Sequence, residues 1–202
     1  MADKLSIVRM IGSSAHSAED RQPDDFYATD PVALHLFLRA LDRDRIKLDT
    51  NIWECACGNG VLSLELAQQG YSVFSTDIVQ RRDAASTLID FVNDPLPQWN
   101  GDILTNPPFK HANKFVERAL EVIPDNNFVV LFLRLQFLEG IKRRELFKIA
   151  PPRWVYIHSA RVHTFKNGDL KYAKSSSAVC FAWFVWQKGY QGEPTIRWID
   201  RD

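Results

Sequence analysis

The sequence predicts an α/β domain with a mostly parallel sheet and helices on both faces, and three observations predict it. Short apolar runs alternate with amphipathic helical stretches, the pattern of strand–helix–strand units. The first run, Ile52-Trp53-Glu54-Cys55, passes through Ala56-Cys57 into Gly58-Asn59-Gly60 and then into a helical pattern carrying Val61, Leu62, Leu64 and Leu66. Strand, glycine turn and helix open a doubly wound nucleotide-binding fold. The next run, Tyr71 to Thr76, ends in Asp77, about 20 residues past the glycines, where such folds place a ribose-binding carboxylate. A strand-end or helix-capping aspartate fits Asp77 equally.

The elements follow in order. Residues 1–24 are polar and aperiodic, with Gly12-Ser13-Ser14, and read as a flexible arm; residues 25–202 form a single domain. Val32, Leu34, Leu36, Phe37, Leu38 and Leu41 mark an amphipathic helix after Asp30-Pro31. Strands are expected near 51–55, 71–76, 87–91, 102–105 and 127–134, with helices between most of them. The link from Phe91 to Gly101 holds Asn93, Pro95 and Pro97 and is too short and proline-rich for a crossover helix. A helix near 140–149, built around Ile141, Leu146 and Phe147, is stopped by Pro151-Pro152. Strands at 154–158 and 178–186 flank a long loop, Ser159 to Ser177, and Thr195 to Ile199 adds a short edge strand. A loop of that length inside a compact domain points to function, here substrate binding through Arg161, His163, Lys166, Lys171 and Lys174.

Asn106-Pro107-Pro108-Phe109, directly after the apolar run Asp102 to Thr105, carries the chemistry. A planar amino group is a poor nucleophile because its lone pair is delocalised, and accepting both of its protons into hydrogen bonds localises that pair. Asn106 offers a side-chain carbonyl, and Pro107 a backbone carbonyl directed by two locked φ angles. Phe109 offers a face for a base, a contact worth roughly 1–3 kcal/mol. Taken alone, Asn-Pro-Pro also fits an ordinary turn.

The two motifs together, Glu54 to Gly60 and Asn106 to Phe109, resemble the class I S-adenosylmethionine-dependent N6-adenine methyltransferases, particularly the small bacteriophage- or prophage-encoded kind. Asp25-Phe26-Tyr27-Ala28-Thr29-Asp30-Pro31 resembles that family's lead-in to the methionine end of the cofactor. The resemblance covers most of the chain from residue 24 and implies the Rossmann-like class I methyltransferase fold, with seven strands, one of them antiparallel. It implies that Tyr27, Thr29, Ala56, Gly58 and Gly60 line the cofactor's methionine moiety. Glu54 would accept from its amino group, Asp77 would bind its ribose, and Asp90 and Phe91 would meet its adenine, with Asn106 also at the cofactor. Asn106, Pro107, Pro108 and Phe109 form the catalytic set, and Lys110 and His111 join the substrate side. Ala56 departs from the family, replacing the first glycine often found in that loop. Phe91 fits a core aromatic as well as an adenine contact, and His111 fits a helix start.

Composition agrees with one catalytic core. With 46% apolar and 12% aromatic residues the chain can bury a full interior. No apolar run approaches a bilayer span and no signal peptide opens the sequence, which leads to a cytoplasmic expectation in a bacterial or phage-infected cell and to no membrane partner. Cys55, Cys57 and Cys180 form neither a disulfide set nor a zinc site: the first two read as small loop residues, Cys180 as core within a strand, and no metal is expected. Net charge is zero, yet Arg134 to Lys174 holds ten basic and three acidic residues. Positive charge after the tetrapeptide suits phosphate contacts, with DNA the first expectation and RNA the second; Lys142, Arg143, Arg144 and Lys148 also fit a solvated helix face. A protein glutamine methyltransferase and a non-catalytic cofactor-binding module are the remaining alternatives.

Overall fold

A computed structural model describes residues 27–81, 86–162, 164–166 and 179–201. The arm expected at 1–24 lies outside the described residues, as do His163, Lys171 and Lys174 and the side chains of Tyr27 and Lys166.

The chain enters through β1 (Tyr27–Thr29) and α1 (Pro31–Arg43). Asp30 caps α1, its carboxylate accepting from the Val32 N–H at 3.0 Å, and Pro31 occupies the first turn, where its missing N–H costs nothing. Then come β2 (Asn51–Glu54), α2 (Val61–Gln68), β3 (Ser72–Asp77), β4 (Thr87–Leu88) and β5 (Asp102–Thr105). A 3-10 turn at Phe109–His111 leads into α3 (Ala112–Val122), followed by β6 (Phe128–Arg134), a second 3-10 turn and α4 (Ile141–Ile149). The strands β7 (Trp154–His158), β8 (Thr164–Lys166), β9 (Phe181–Gln187) and β10 (Thr195–Ile199) complete the described chain.

The main sheet runs β10-β7-β9-β6-β5-β2-β3-β4, and β9 is antiparallel to both neighbours. It has eight strands rather than the expected seven, because β10 pairs in parallel with β7 along its whole length. Three further expectations are corrected. The third strand is only Thr87–Leu88, so Asp90 and Phe91 sit in the turn that follows it. Cys180 is exposed, one residue before β9 begins, its carbonyl accepting from the Leu135 N–H at 2.8 Å. The long loop contains a strand, β8, whose backbone pairs with β1 in a separate two-stranded ribbon.

Strand alternation divides the core between the two faces. Ile52, Leu104, Val130, Phe132, Tyr156 and Trp183 pack against α1 and α2 through Leu34, Phe37 and Leu66. Trp53, Ile103, Leu131, Val155, Phe184 and Trp186 pack against α3 and α4 through Phe115, Val116 and Leu146. Three buried indoles keep their N–H groups bonded, Trp53 to Thr76 Oγ1 (2.9 Å), Trp183 to the Ala33 carbonyl (3.2 Å) and Trp186 to the Ala150 carbonyl (3.0 Å). Among the described side chains of α4 only Leu146 is buried, with Phe147 packed beside it, and Ile141 is 91% exposed, contrary to its expected core position. Lys148 pairs with Glu145 at 2.7 Å, as a solvated helix face would.

Two polar clusters fasten the framework, the first on a buried carboxyl and the second on a half-buried one. Asp102, at the start of β5, accepts from Asp49 N–H (2.7 Å), Phe128 N–H (2.7 Å) and Asn127 Nδ2 (2.9 Å), fixing the amino-terminal edge of the sheet. Asp44, after α1, accepts from Tyr156 Oη (2.7 Å) and Arg197 (2.8 Å), tying α1 to β7 and β10.

Candidate active site

Strand order reverses at β2: the chain builds outward through β3 and β4, then returns to place β5 on the other side of β2. Loops leaving the carboxyl ends of β2 and β5 therefore diverge, and a doubly wound sheet opens a crevice at such a point. A cleft of about 980 Å³, counting its open mouth, lies there. Thr29, Glu54, Ala56, Asp77, Asp90, Phe91, Asn106, Pro108 and His111 all line it, together with Cys57, Asn59, Arg81, Asn93 and Phe115. Residues as far apart in sequence as Thr29 and Phe115 are thus assembled by the ends of five strands and the helix α3.

The glycine turn is shaped by backbone requirements. Gly58 and Gly60 have φ of 57° and 79°, in the left-handed region that favours glycine. Ala56 is not among the positive-φ residues described, so alanine in place of a glycine introduces no strain. Both glycines frame the cleft rather than line it. Asp77 holds the turn, its Oδ2 accepting from the Gly58 N–H at 2.8 Å and its Oδ1 from the Val79 N–H at 3.0 Å, with an Arg81 guanidinium nitrogen 3.8 Å away.

Glu54 ends β2 only 1% exposed. Burial pushes its carboxyl up to about 8, against the opposing hydrogen bonds from Ser63, while the Asp77 carboxylate adds to the rise. Ser63 donates to Glu54 Oε2 and shares a 2.6 Å hydrogen bond with Ser75. The structure makes Ser63, in the first turn of α2, the tether of the buried carboxyl.

Asp90 organises the turn after β4, accepting from Val92 N–H (3.0 Å), Asn93 N–H (3.1 Å) and Asn93 Nδ2 (2.8 Å); the Asn93 side chain leads the causes that lower its pKa. Phe91 is a core aromatic that also reaches the cleft. It is 2% exposed, edge-on to Trp53 at 5.2 Å and stacked on Phe115 at 5.0 Å, and it still lines the cleft.

Around the tetrapeptide, Asn106 Nδ2 donates to Thr29 Oγ1 at 3.0 Å. Pro107 is buried and Pro108 half-buried, and Pro108 lines the cleft while Pro107 does not. Phe109 stands beside the cleft rather than in its lining, packed against both halves of the core. Its ring lies 5.9 Å from Phe181, and the Arg134 guanidinium sits over it at 4.6 Å, a contact nothing in the sequence announced. His111 ends the 3-10 turn, exposed, where it caps α3 and lines the cleft. Lys110 and Arg161 are exposed and outside the lining.

Among the described residues no group of acids, histidines and cysteines could hold a metal ion, and no helix is long and apolar enough to cross a membrane.

No protein-family profile matches the chain, and no curated protein matches its sequence. Solved structures share its fold. The methyltransferase subunit of a type I restriction-modification system from Streptococcus thermophilus superposes on 95% of this chain with a TM-score of 0.58 and 16% identity, and the chain spans 50% of that subunit. A proposed RNA methyltransferase from Pyrococcus horikoshii matches 93% of this chain and 99% of its own, with a TM-score of 0.55 and 14% identity. A proposed class I S-adenosylmethionine-dependent methyltransferase from Listeria monocytogenes matches over 96% and 70%, with a TM-score of 0.56 and 10% identity. The chain has the Rossmann-like α/β fold of these proteins.

Proposed function

We propose that this chain is an S-adenosylmethionine-dependent methyltransferase acting on the exocyclic N6 amino group of adenine in nucleic acid, DNA before RNA. One observation carries the reading: the tetrapeptide's Asn106 and Pro108 share a single cleft with Glu54, Asp77, Asp90 and Phe91, at the strand ends where this fold binds ligands. The names of the fold's neighbours, a restriction-modification methyltransferase and a proposed RNA methyltransferase among them, agree with it.

The residues present fit the cofactor. Asp77 ends β3 as a carboxylate beside the glycine turn, suited to ribose hydroxyls, and the buried carboxyl of Glu54 is suited to a cationic amino group. Phe91, Ile89 and Val92 give an apolar wall suited to adenine, with Asp90 at its edge. Thr29, Ala56, Gly58 and Gly60 lie at the methionine end in this reading. Bound there, S-adenosylmethionine supplies a methyl group already activated by its sulfonium, so the protein's task is chiefly positioning.

Asn106 Oδ1 and the Pro107 carbonyl would accept hydrogen bonds from the two N–H groups of the target amino group, localising its lone pair; the methyl group would pass from the sulfonium sulfur, left as a neutral thioether, to that nitrogen, and one nitrogen proton would leave to solvent. The target adenine is taken out of its stack, at a few kcal/mol if the substrate is duplex, and it stacks on Phe109. The Arg134 guanidinium yields a face of that ring, at roughly 0.5–2 kcal/mol. His111 and the basic residues Lys110, Arg161, His163, Lys166, Lys171 and Lys174 are the proposed substrate contacts.

The test is transfer of labelled methyl to duplex DNA, single-stranded DNA, total RNA and cell protein in parallel, with nucleoside analysis of whatever is labelled. N6-methyladenine in DNA is the expected product. Label confined to RNA or to protein glutamine moves the substrate, and binding of the cofactor with no transfer to any acceptor overturns the enzyme reading.

A further inference from the structure

A nucleotide that stacks its base on Phe109 brings its sugar, and the phosphodiesters on either side of it, to the same place. Phosphates carry the substrate's charge, and contacts to them fix its position. The end of β6 puts a cation there. Arg134, the last residue of that strand, is held by its backbone opposite Phe181 of β9, and the pairing continues as the Leu135 N–H donates to the Cys180 carbonyl at 2.8 Å. Two positions earlier, on the same face of β6, Phe132 stacks on Phe181 at 5.3 Å, and Phe181 lies 5.9 Å from Phe109. The Arg134 guanidinium ends this row, 4.6 Å from the centre of the Phe109 ring.

The protein leaves that guanidinium without a polar partner. Arg134 is half-buried, its Nε is shut off from solvent with no hydrogen bond, and among the described residues no carboxylate pairs with it. The other half-buried arginines outside the cleft, Arg118, Arg143, Arg153 and Arg197, each reach an oxygen. A partly desolvated guanidinium in this state favours an anion, and its planar fork matches the oxygens of a phosphate. Arg134, like Phe109, stands beside the cleft assigned to the cofactor and not in its lining, so the anion it fits belongs to the methyl acceptor.

We propose that Arg134 binds a phosphate of the target nucleotide: as adenine takes the face of Phe109, the displaced guanidinium receives a phosphodiester flanking that adenine. This rests on the N6-adenine reading and narrows it, because a protein glutamine carries no such phosphate. The exchange trades a cation–π contact for a charge-assisted one, so the cation is covered both before and after the base arrives.

Salt dependence of binding and a neutralised phosphate test it. The probes are a DNA strand and an RNA strand of one sequence with a single adenine, each used alone and annealed to its complement. Each phosphate contact contributes about 0.7 for a single strand and about 0.9 for a DNA duplex to the slope of log affinity against log salt concentration. Arg134→Met keeps an apolar side chain beside Phe109 and removes the charge. Its slope is shallower by about one such contact, its affinity about tenfold lower at low salt, and its dissociation constant for S-adenosylmethionine within about threefold of the wild type. Arg134→Lys, which retains the charge, retains the slope. Loss of the ring contact alone would leave the slope of Arg134→Met unchanged. A methylphosphonate in place of a phosphodiester flanking the adenine weakens binding by the wild type about tenfold and adds little in Arg134→Met, whereas one placed several nucleotides away weakens both equally. The strand on which the slopes differ, DNA or RNA, gives the source of the phosphate. Identical slopes for wild type and Arg134→Met overturn the proposal, as does a flanking methylphosphonate whose effect simply adds to that of the variant. A wild type that methylates no nucleic acid sinks the N6-adenine reading instead, and the salt slopes still decide whether Arg134 meets a phosphate.

Discussion

Glu54→Gln removes one ionisable group from the cleft and leaves its shape and its acceptor for Ser63 in place. The wild-type carboxyl, ordinarily near 4.5, is pushed up to about 8 by burial. Between those two pH values the native state keeps a proton that the unfolded chain has lost, so stability falls as pH rises through the window and levels off above it. The rise from 4.5 to about 8, at about 1.36 kcal/mol per pH unit, amounts to a loss on the order of 5 kcal/mol from pH 4.5 to above pH 8. The Gln variant has no such loss. Urea unfolding of both proteins at closely spaced pH from 5 to 9, analysed as the difference between them, isolates this group from every other titration. The stability difference, variant minus wild type, should grow with pH and flatten beyond 8. Parallel curves would refute the argument, since they would mean that Glu54 ionises as readily in the native state as in the unfolded chain.

Under the proposed function, the same carboxyl makes binding of S-adenosylmethionine release a proton between about pH 5 and 8, measurable by calorimetry in two buffers of different ionisation enthalpy, and Glu54→Gln abolishes that release. Asn106→Ala should abolish methyl transfer with cofactor affinity nearly unchanged; a fully active variant excludes the assigned role. Asp102→Ala strands three half-buried donors and should cost about 3 kcal/mol in urea unfolding, with no direct effect on the cleft at the opposite edge of the sheet. Asp44 experiences burial that raises its pKa, but hydrogen bonds from Arg43, Tyr156 and Arg197 outweigh it and bring the group down to about 2. Its contribution is present above the ordinary carboxylate range and lost as pH falls toward 2. Asp44→Asn should flatten the stability profile below pH 4, and an unchanged acid limb counts against the assignment.

The sequence alone determined the parts whose causes are local. Alternating apolar runs, the glycine turn before α2, the proline stop after α4 and the missing helix between Phe91 and Gly101 are properties of neighbouring residues, and each was legible. The order of Glu54, Asp77 and Asn106 along the chain was legible too, because a doubly wound fold puts strand ends on one edge. Features that depend on distant pairing were not. The strand at Thr195–Ile199 was legible as an edge strand but its parallel pairing with β7 was not, and β8 exists because β1 offers it an edge. Arg134 over Phe109, Ser63 on Glu54 and Thr29 on Asn106 are meetings of side chains whose positions follow from sheet register, and register is a long-range quantity that no local pattern encodes. Sequence named the groups able to perform the chemistry, whereas only the tertiary structure decided which atom of each faces the cleft, because orientation is set by partners brought near through folding.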